Sequence, residues 1–232
     1  MEASQTDLET GTDNKKTPFT FLVVDDHAAI VECVTARLQR AYPEAQLLSA
    51  RDCSTARQMI EQYALDLVIL DLDLPEVLGE TAQFSAGIEL LSTLLIKRNP
   101  AVSIGVLSAS VRPLVRLKPE IDRYPAGFVA VDKTQPLAVV LKMVELALRK
   151  SIYLPPEVRS QPQFNPPWLS VLMLKFQIGL SDKAIAEHMG VSPRTIRSYW
   201  LYIQDALGVY DNPNEDIRVK IEQAARLEGL ID

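Results

Sequence analysis

The sequence predicts an α/β fold with a doubly wound parallel sheet, followed by a small all-α domain. Three observations support this prediction. Short runs that are apolar on both faces alternate with helical patterns over the first two-thirds of the 232 residues. A proline-rich segment follows, and beyond it the pattern is wholly helical. Strands without a polar face, separated by helices, are typical of a parallel sheet that is covered on both sides.

The sheet is expected to have five strands. The strand-like runs are FTFLVV, AQLLSA, DLVILDL, AVSIGVLSAS and AGFVAV. After the first run, Ile30, Val34 and Leu38 recur at helical spacing. Ser54 is expected to cap the second helix. Five parallel strands with helices on both faces indicate a flavodoxin-like fold.

The chain divides into four segments. Residues 1–17 are polar, lack the apolar stretch of a signal peptide, and are expected to be a disordered leader. Residues 18–150 hold the α/β pattern, and residues 151–164 are expected to form a linker, since the stretch from Pro155 to Pro167 contains five prolines. The remaining residues, 165–232, form the helical domain.

Composition narrows the class of protein. No run approaches the roughly 20 apolar residues of a membrane helix, so no membrane partner is expected. Cys33 and Cys53 lack metal-type spacing and are expected to be reduced thiols, which favours the cytoplasm. The formal net charge of −6 does not by itself favour nucleic-acid binding.

Polar residues follow four of the predicted strands. They are Asp25 and Asp26 after the first strand, Asp71 after the third, Ser108 after the fourth and Lys133 after the fifth. In a doubly wound sheet these positions meet at the carboxyl edge. Three carboxylates at one place need a cation, and Mg²⁺ prefers oxygen ligands. A lysine and a hydroxyl suit phosphoryl oxygens, and one carboxylate can act as nucleophile to form an aspartyl phosphate.

The helical domain contains a helix, a tight turn and a second helix. Ser181 can cap the first helix, and Gly190 can end it. Ser192 and Pro193 then restart the chain as N-cap and first helical residue. The first turns of the second helix carry basic and hydroxyl side chains, as expected of a helix that enters the major groove.

The motifs LVVDDHAAI, VILDLDLP, GIELL, VLSAS and GFVAVDK resemble the receiver domain of bacterial two-component response regulators, in particular the NarL/FixJ group. The resemblance implies that Asp71 accepts the phosphoryl group from a sensor histidine kinase. It also implies that Mg²⁺ is bound by Asp25, Asp26, Asp71 and the backbone carbonyl of Asp73. Ser108 would be the switch hydroxyl, and Lys133 would contact the phosphoryl group.

The segment GLSDKAIAEHMGVSPRTIR and the ending ARLEGLI are similar to the LuxR-type helix-turn-helix of the same group. The resemblance implies a non-enzymatic transcription regulator that binds promoter DNA and acts as a homodimer, with 217–231 as the candidate dimer contact. The residues expected to contact DNA are Lys183, Ser192, Arg194, Thr195, Arg197 and Ser198.

Two features depart from the family pattern. About eight extra residues, near 77–87, precede the GIELL helix, and they form either a tolerated surface loop or a lid or partner contact. The region expected to form the fourth helix contains Pro113, Pro119 and Pro125, which break it.

Two other functions stay open. Asp71 and Asp73 also fit the Asp-x-Asp of haloacid-dehalogenase-type phosphatases, although Pro75 stands where that pattern has Thr or Val. The helical domain, with seven basic and nine acidic residues from Asn165 onward, could instead bind protein, which would make the chain a signalling adaptor. Aromatic residues in the run from Tyr199 to Tyr202 are either core or contact residues.

Overall fold

The computed structural model describes residues 18–96, 102–159, 164–210 and 216–232. The predicted leader lies outside these residues. The strands are β1 Thr20–Val24, β2 Gln46–Ala50, β3 Leu67–Leu70, β4 Ser103–Ser108, β5 Phe128–Asp132 and β6 Ile152–Tyr153. The α-helices are α1 Ala28–Ala41, α2 Cys53–Gln62, α3 Phe84–Ile96, α4 Lys118–Ile121, α5 Leu137–Leu148, α6 Pro156–Arg159, α7 Pro166–Phe176, α8 Asp182–His188, α9 Pro193–Leu207 and α10 Ile217–Leu227. No helix within the described ranges combines the length and apolar character that a membrane span requires.

The strands lie parallel in one sheet in the order β2-β1-β3-β4-β5-β6. The direction of winding reverses between β1 and β3, which confirms the flavodoxin-like prediction. A sixth strand extends the five that were predicted, because Ile152 and Tyr153 pair with Phe128 and Val129. This strand lies inside the predicted linker segment, where two residues close to prolines give too short a pattern to recognise.

Each central strand buries both of its faces. Phe21 and Val23 of β1 point into a cluster completed by α1 and α5. Leu22 and Val24, the alternate residues, point into a second cluster with α2 and α3. All four side chains are at most 1% exposed, and full burial of such a residue stabilises the fold by about 1.5–3 kcal/mol. The sheet is therefore fixed in register, and so are the residues that follow its strands.

The fourth helix is broken as predicted. A 3-10 helix at Arg112–Leu117 precedes the single turn of α4. Pro113 and Pro119 each stand in the first two positions of these helices, where a missing N–H costs no hydrogen bond. Proline thus permits two short helices here and excludes one long one.

Ser54 does not cap α2, contrary to the prediction. Asp52 is the N-cap, and its carboxylate accepts hydrogen bonds from the Thr55 N–H at 2.7 Å and the Thr55 hydroxyl at 2.9 Å. The Ser54 N–H instead donates to the Glu76 carbonyl at 3.0 Å. Asp is as strongly favoured at an N-cap as Ser, and because Asp52 begins the helix two residues earlier, Ser54 becomes the second residue of α2.

Helices α7 to α10 pack around a separate core. It includes Leu172 of α7, Ile185 of α8, Ile196 of α9 and Ile221 of α10, all fully buried. The predicted caps of α8 and α9 are confirmed: the side chain of Ser181 accepts from Ala184 N–H, and that of Ser192 from Thr195 N–H. Gly190 adopts φ +64°, the left-handed conformation expected just after α8.

The 3-10 helix joins the two cores, and three contacts hold it to the end of α10. Arg112 Nη1 donates to the Leu227 carbonyl at 2.6 Å, and Arg116 Nε donates to the Gly229 carbonyl at 2.7 Å. Val115, between them, is buried in the core of the helical domain. Gly229 has φ +72°, and a Cβ there would lie 2.8 Å from the Arg112 carbonyl carbon, so only glycine allows this close approach.

Candidate functional site

Side chains from four strand ends meet at the carboxyl edge of the sheet. Asp25 and Asp71 are each 3% exposed, and Ser108 is fully buried. Their backbones are held in line because the Asp71 N–H donates to the Val24 carbonyl and the Lys133 N–H donates to the Ser108 carbonyl, both at 2.9 Å. The residues predicted from four distant stretches of sequence therefore occupy one pocket.

Lys133 lies between two buried carboxylates. Its Nζ is 2.6 Å from Asp25 Oδ2 and 2.6 Å from Asp71 Oδ2. Burial alone lowers the pKa of Lys133, but the hydrogen bonds to both carboxylates outweigh burial and raise the pKa above its ordinary value. Burial also raises the pKa of Asp25, and the hydrogen bond from Lys133 only partly offsets it. The lysine is thus held charged, and burial favours the neutral form of the Asp25 carboxyl more than water would.

A wider group of ligand atoms surrounds the same pocket. Atoms of Asp25, Asp26, His27 and Asp71 all lie within 4.8 Å of one another. Asp26 Oδ1 is buried, and His27 Nδ1 lies 2.5 Å from it. Carboxylate oxygens gathered at one place are a donor set that a hard divalent cation accepts. His27 was missed in the sequence, where its position directly after two acids was the available signal.

Asp73 lies beside the pocket. Its N–H donates to Asp71 Oδ1 at 3.3 Å, which turns the backbone after β3 around the Asp71 carboxylate. Burial raises the pKa of Asp73, and the negative charges of Asp71 and Asp26 add to the effect. The side chain of Asp73 therefore lies beside the acidic cluster, and its backbone N–H makes the contact with Asp71.

Ser108 has a buried hydroxyl with no hydrogen-bond partner among the described residues. Ser103, at the other end of β4, is equally buried but donates to the Ala147 carbonyl at 2.9 Å. A buried hydroxyl without a partner costs free energy, and such groups mark sites where a partner arrives from outside. Ser108 is therefore the one of the two that is available to a ligand in the pocket.

The insertion near 77–87 is anchored to α2. Glu76, at its start, forms a short ion pair with Arg57, and its carbonyl accepts the N–H at the second residue of α2. Val77 and Leu78 are 50% and 55% exposed. The loop thus has a fixed base with an apolar tip in solvent, and both interpretations of it, tolerated loop and partner contact, stay predictions.

The hydroxyl groups at the start of α9 are used inside the helix. The Ser192 and Thr195 hydroxyls lie 2.9 Å apart, and Ser198 Oγ donates to the Arg194 carbonyl at 3.3 Å. The basic side chains are different: among the described residues, no ion pair or hydrogen bond holds their charged groups. These exposed side chains are Lys183, Arg194 and Arg197.

The aromatic residues of α9 divide between core and surface. Trp200 is 2% exposed, and the guanidinium carbon of Arg218 lies 3.5 Å from its ring centroid. Arg218 Nη2 also pairs with Asp182 at 3.2 Å, so one arginine of α10 links α8 and α9. Tyr202 is half exposed and stacks on Trp168 of α7, with ring centroids 5.4 Å apart. Arg218 was not foreseen from the sequence, because its partners are distant along the chain.

Residues 21–117 match the family model described as "Response regulator receiver domain". The match ends where the 3-10 helix ends, in the proline-containing region that departs from the usual pattern. The chain is 25% identical over 214 residues to the "Glycerol metabolism activator" of Pseudomonas putida, covering 83% of this chain and 91% of that protein. It is 23% identical over 201 residues to the "Transcriptional regulatory protein YdfI" of Bacillus subtilis strain 168, covering 81% and 88%.

Among solved structures, the chain is similar to RcsB from Salmonella enterica serovar Typhimurium "bound to promoter rprA in the presence of phosphomimetic BeF3-". The TM-score is 0.55 at 20% identity, and the match covers 89% of this chain and 97% of that one. A second RcsB–DNA complex matches with a TM-score of 0.51 at 19% identity, covering 89% and 97%. The likeness therefore extends over both domains and concerns the fold.

Proposed function

The chain carries a response regulator receiver domain at residues 21–117, and from this premise we propose that it is a phosphorylation-controlled, DNA-binding transcription regulator. The observation that carries the proposal is the convergence of Asp25, Asp71, Ser108 and Lys133 in one pocket, on a chain whose last 68 residues hold a helix, a turn and a second helix. We assign the receiver domain to 18–150, the linker to 151–164, of which β6 and α6 lie against the receiver domain, and the DNA-binding domain to 165–232.

Asp71 is the proposed phosphoacceptor. Its carboxylate oxygen attacks the phosphorus of a phosphohistidine on a sensor histidine kinase, and an O–P bond forms while the N–P bond breaks. Lys133 lies next to Asp71 and is held charged, so it can bind the non-bridging oxygens of the phosphoryl group. This contact replaces part of the ion pair that Lys133 makes with Asp71.

Asp25, Asp26, Asp71 and the backbone carbonyl of Asp73 are the proposed Mg²⁺ ligands. The ion, when bound, would supply positive charge that offsets both the carboxylates and the phosphoryl oxygens. Among this chain's own groups, the close approach of ligand atoms from Asp25, Asp26 and Asp71, all within 4.8 Å of one another, supports the assignment. Ser108 is the proposed switch hydroxyl, because its Oγ has no partner within the described residues and a phosphoryl oxygen would provide one.

The proposed output is binding to promoter DNA through α8 and α9. Lys183, Arg194 and Arg197 are the charged contacts, and the N-terminal turn of α9, with Ser192, Thr195 and Ser198, approaches the backbone and base edges. In the active state we expect a homodimer that contacts through 217–231. The two relatives are named as a metabolism activator and a transcriptional regulatory protein, and both names agree with this output.

A second candidate is a signalling adaptor whose helical domain binds protein. Two observations favour it: acidic residues outnumber basic ones from Asn165 onward, and Leu201 and Tyr202 are 64% and 54% exposed on α9. The acidic excess does not extend to the start of α9. The segment from Pro193 to Gln204 contains two arginines and no acid, so the charge there suits DNA. DNA binding is therefore the better-supported output.

Selection of genomic fragments tests the proposal. The purified protein is incubated with fragments of its own cell's DNA and Mg²⁺, with and without acetyl phosphate as phosphoryl donor. We expect discrete sites whose enrichment grows with the donor, and no growth for Asp71→Asn. Asp122→Asn is the matched control, because Asp122 is an exposed partner of Lys118 outside the pocket. Absence of enriched sites in both conditions would favour the adaptor. Continued phosphorylation of Asp71→Asn by the donor would refute Asp71 as the phosphoacceptor.

A further inference from the structure

Leu201 is a large apolar side chain that points to solvent from α9, the helix proposed to enter the major groove. It is 64% exposed, although it lies on α9 only one residue after the buried Trp200. Arg194, Arg197 and Leu201 are spaced by three and four residues, so they share one face of the helix. The opposite face, with Ile196, Trp200 and Ile203, is buried in the domain core.

Several side-chain groups on or beside this outer face are already engaged in contacts within the domain. The hydroxyls of Ser192, Thr195 and Ser198 already take part in hydrogen bonds within the helix and its cap. Tyr202, next to Leu201, stacks on Trp168. What remains is two guanidinium groups without an ion-pair partner among the described residues, and one isobutyl group outside the domain's apolar cluster.

From this arrangement, which rests on the proposed DNA-binding function, we infer that Leu201 selects thymine by contact with its C5 methyl group. The major groove presents hydrogen-bond donors and acceptors at every base edge, and the thymine methyl is the apolar feature among them. Leucine forms no hydrogen bond, so facing any other base edge would remove water from polar atoms without replacing it. Only a thymine at this position converts the exposed side chain into favourable burial.

The spacing along α9 predicts the form of the DNA site. Arg197 and Leu201 are separated by four residues, which is about 6 Å along a helix. This distance corresponds to roughly two base pairs at about 3.4 Å each. Since arginine most often reads guanine through O6 and N7, we expect a thymine about two base pairs from a guanine in each half-site.

Duplex DNA is favoured over a protein as the occupant of this face because of its charge. Two arginines precede the leucine on this face, and Asp205 is the first acid of α9. A face with exposed guanidinium groups beside an apolar side chain is complementary to the floor of a groove lined by phosphates. An apolar protein surface would leave both arginines to lose their water without an anion to replace it.

Substitution of single thymines by deoxyuridine tests the inference, since deoxyuridine lacks only the C5 methyl. The probe is the fluorescein-labelled duplex most enriched by selection from random DNA, and its Kd is measured with each thymine replaced in turn. We expect wild-type protein to lose about fourfold in affinity at one position per half-site, which corresponds to about 0.8 kcal/mol for one buried carbon group. Leu201→Ala should bind both forms of the duplex equally at that position.

Ile178→Ala is the matched control, because Ile178 is also 64% exposed but lies in the turn after α7. It should keep the wild-type preference for thymine. Equal binding of wild-type protein to all substituted duplexes, or a preference that persists in Leu201→Ala, would overturn the inference while leaving DNA binding intact. Failure of the selection to enrich any duplex would instead overturn the proposed DNA-binding function, and this inference with it.

Discussion

At the carboxyl edge of the sheet, a single ammonium group stands between two carboxylates that would otherwise repel each other. Lys133 Nζ is 2.6 Å from an oxygen of Asp25 and of Asp71. Removal of the lysine would leave two buried negative charges without compensation, whereas removal of one carboxylate leaves Lys133 paired with the other. The pocket therefore holds one positive and two negative charges at close range, and its stability responds to pH and to substitution.

The raised pKa of Asp25 gives a prediction with a definite sign. Because burial raises this pKa, the folded wild type takes up a proton at a pH where the unfolded chain is still ionised, so its stability rises as the pH falls through that pKa. Asp25→Asn removes the charge at all pH values. In buffer without divalent cations, we expect the variant to be more stable than wild type by roughly 1 kcal/mol at pH 7.5. Urea unfolding should show this advantage shrinking toward pH 4.5.

The control for this experiment is Asp122→Asn, whose carboxylate pairs with Lys118 at the surface. It should show no advantage at pH 7.5. A stability difference between wild type and Asp25→Asn that is the same at every pH would contradict the assignment of the effect to proton uptake by Asp25.

The two buried serines of β4 should respond oppositely to alanine. Ser103→Ala removes a hydrogen bond to the Ala147 carbonyl and leaves that carbonyl unsatisfied, so we expect a loss of about 1 kcal/mol or more in unfolding free energy. Ser108→Ala removes a hydroxyl without a described partner, so stability should be unchanged or slightly higher. Denaturant unfolding measures both. If Ser108→Ala proves as destabilising as Ser103→Ala, the hydroxyl has a partner in the resting protein.

Among the secondary-structure elements, α9 is held in position by contacts with the neighbouring helices α8 and α10. Arg218 of α10 covers the Trp200 ring and pairs with Asp182 of α8, which joins three helices through one side chain. The cap at Ser192 fixes where α9 begins. Together these contacts set the direction in which Arg194 and Arg197 project.

Arg218→Ala should destabilise the helical domain more than an ordinary surface substitution. We expect a loss of about 1–2 kcal/mol, because a partly desolvated cation–π contact and an ion pair disappear together. Arg226→Ala is the matched control, since Arg226 lies on the same helix and pairs with Glu222 four residues earlier. It should cost about 0.3–0.5 kcal/mol. Tryptophan fluorescence during urea unfolding separates the two, and equal losses would refute the joining role of Arg218.

The sequence predicted the elements whose signal is local. β1, β3 and β4 are continuous apolar runs, and the residues after them were placed at one edge because parallel strands share it. The caps Ser181 and Ser192 were predicted for the same local reason. β6 was missed since two residues carry no periodicity. Asp52 was missed as a cap because Asp and Ser are equally favoured there, so the local sequence did not decide between Asp52 and Ser54. Arg218 and His27 acquire their contacts only in the folded chain.

At the scale of the whole molecule, the 3-10 helix connects the α/β domain to the helical domain. Leu114 and Leu117 pack into the core below the sheet, while Val115 packs into the core of the helical domain. Arg112 and Arg116 hold the end of α10. This helix begins four residues after Ser108, so the proposed switch hydroxyl and the contact between domains lie on one short piece of backbone.

Arg116→Ala should loosen the contact between domains without unfolding either one. We expect faster hydrogen exchange at the amides of Gly229 and Leu230, because the carbonyl of Gly229 and the carboxylate of Asp232 lose their donor. Arg123→Ala, an exposed arginine of the same region, should leave these amides unchanged. Exchange that is identical in wild type and Arg116→Ala would show that this arginine does not hold α10.

The connection between the two domains, which passes through β6 and α6, is short. Its length affects how strong the contact between the 3-10 helix and the end of α10 must be. The chain is held to the receiver domain as far as Arg159, and α7 begins at Pro166. The residues between them can extend over roughly 20 Å at most. A tether of that reach keeps the end of α10 at an effective concentration in the millimolar range beside Arg112 and Arg116. At such an effective concentration a few hydrogen bonds hold the two parts together more strongly than they would hold separate chains, so a modest change near Ser108 can shift the occupancy of the contact.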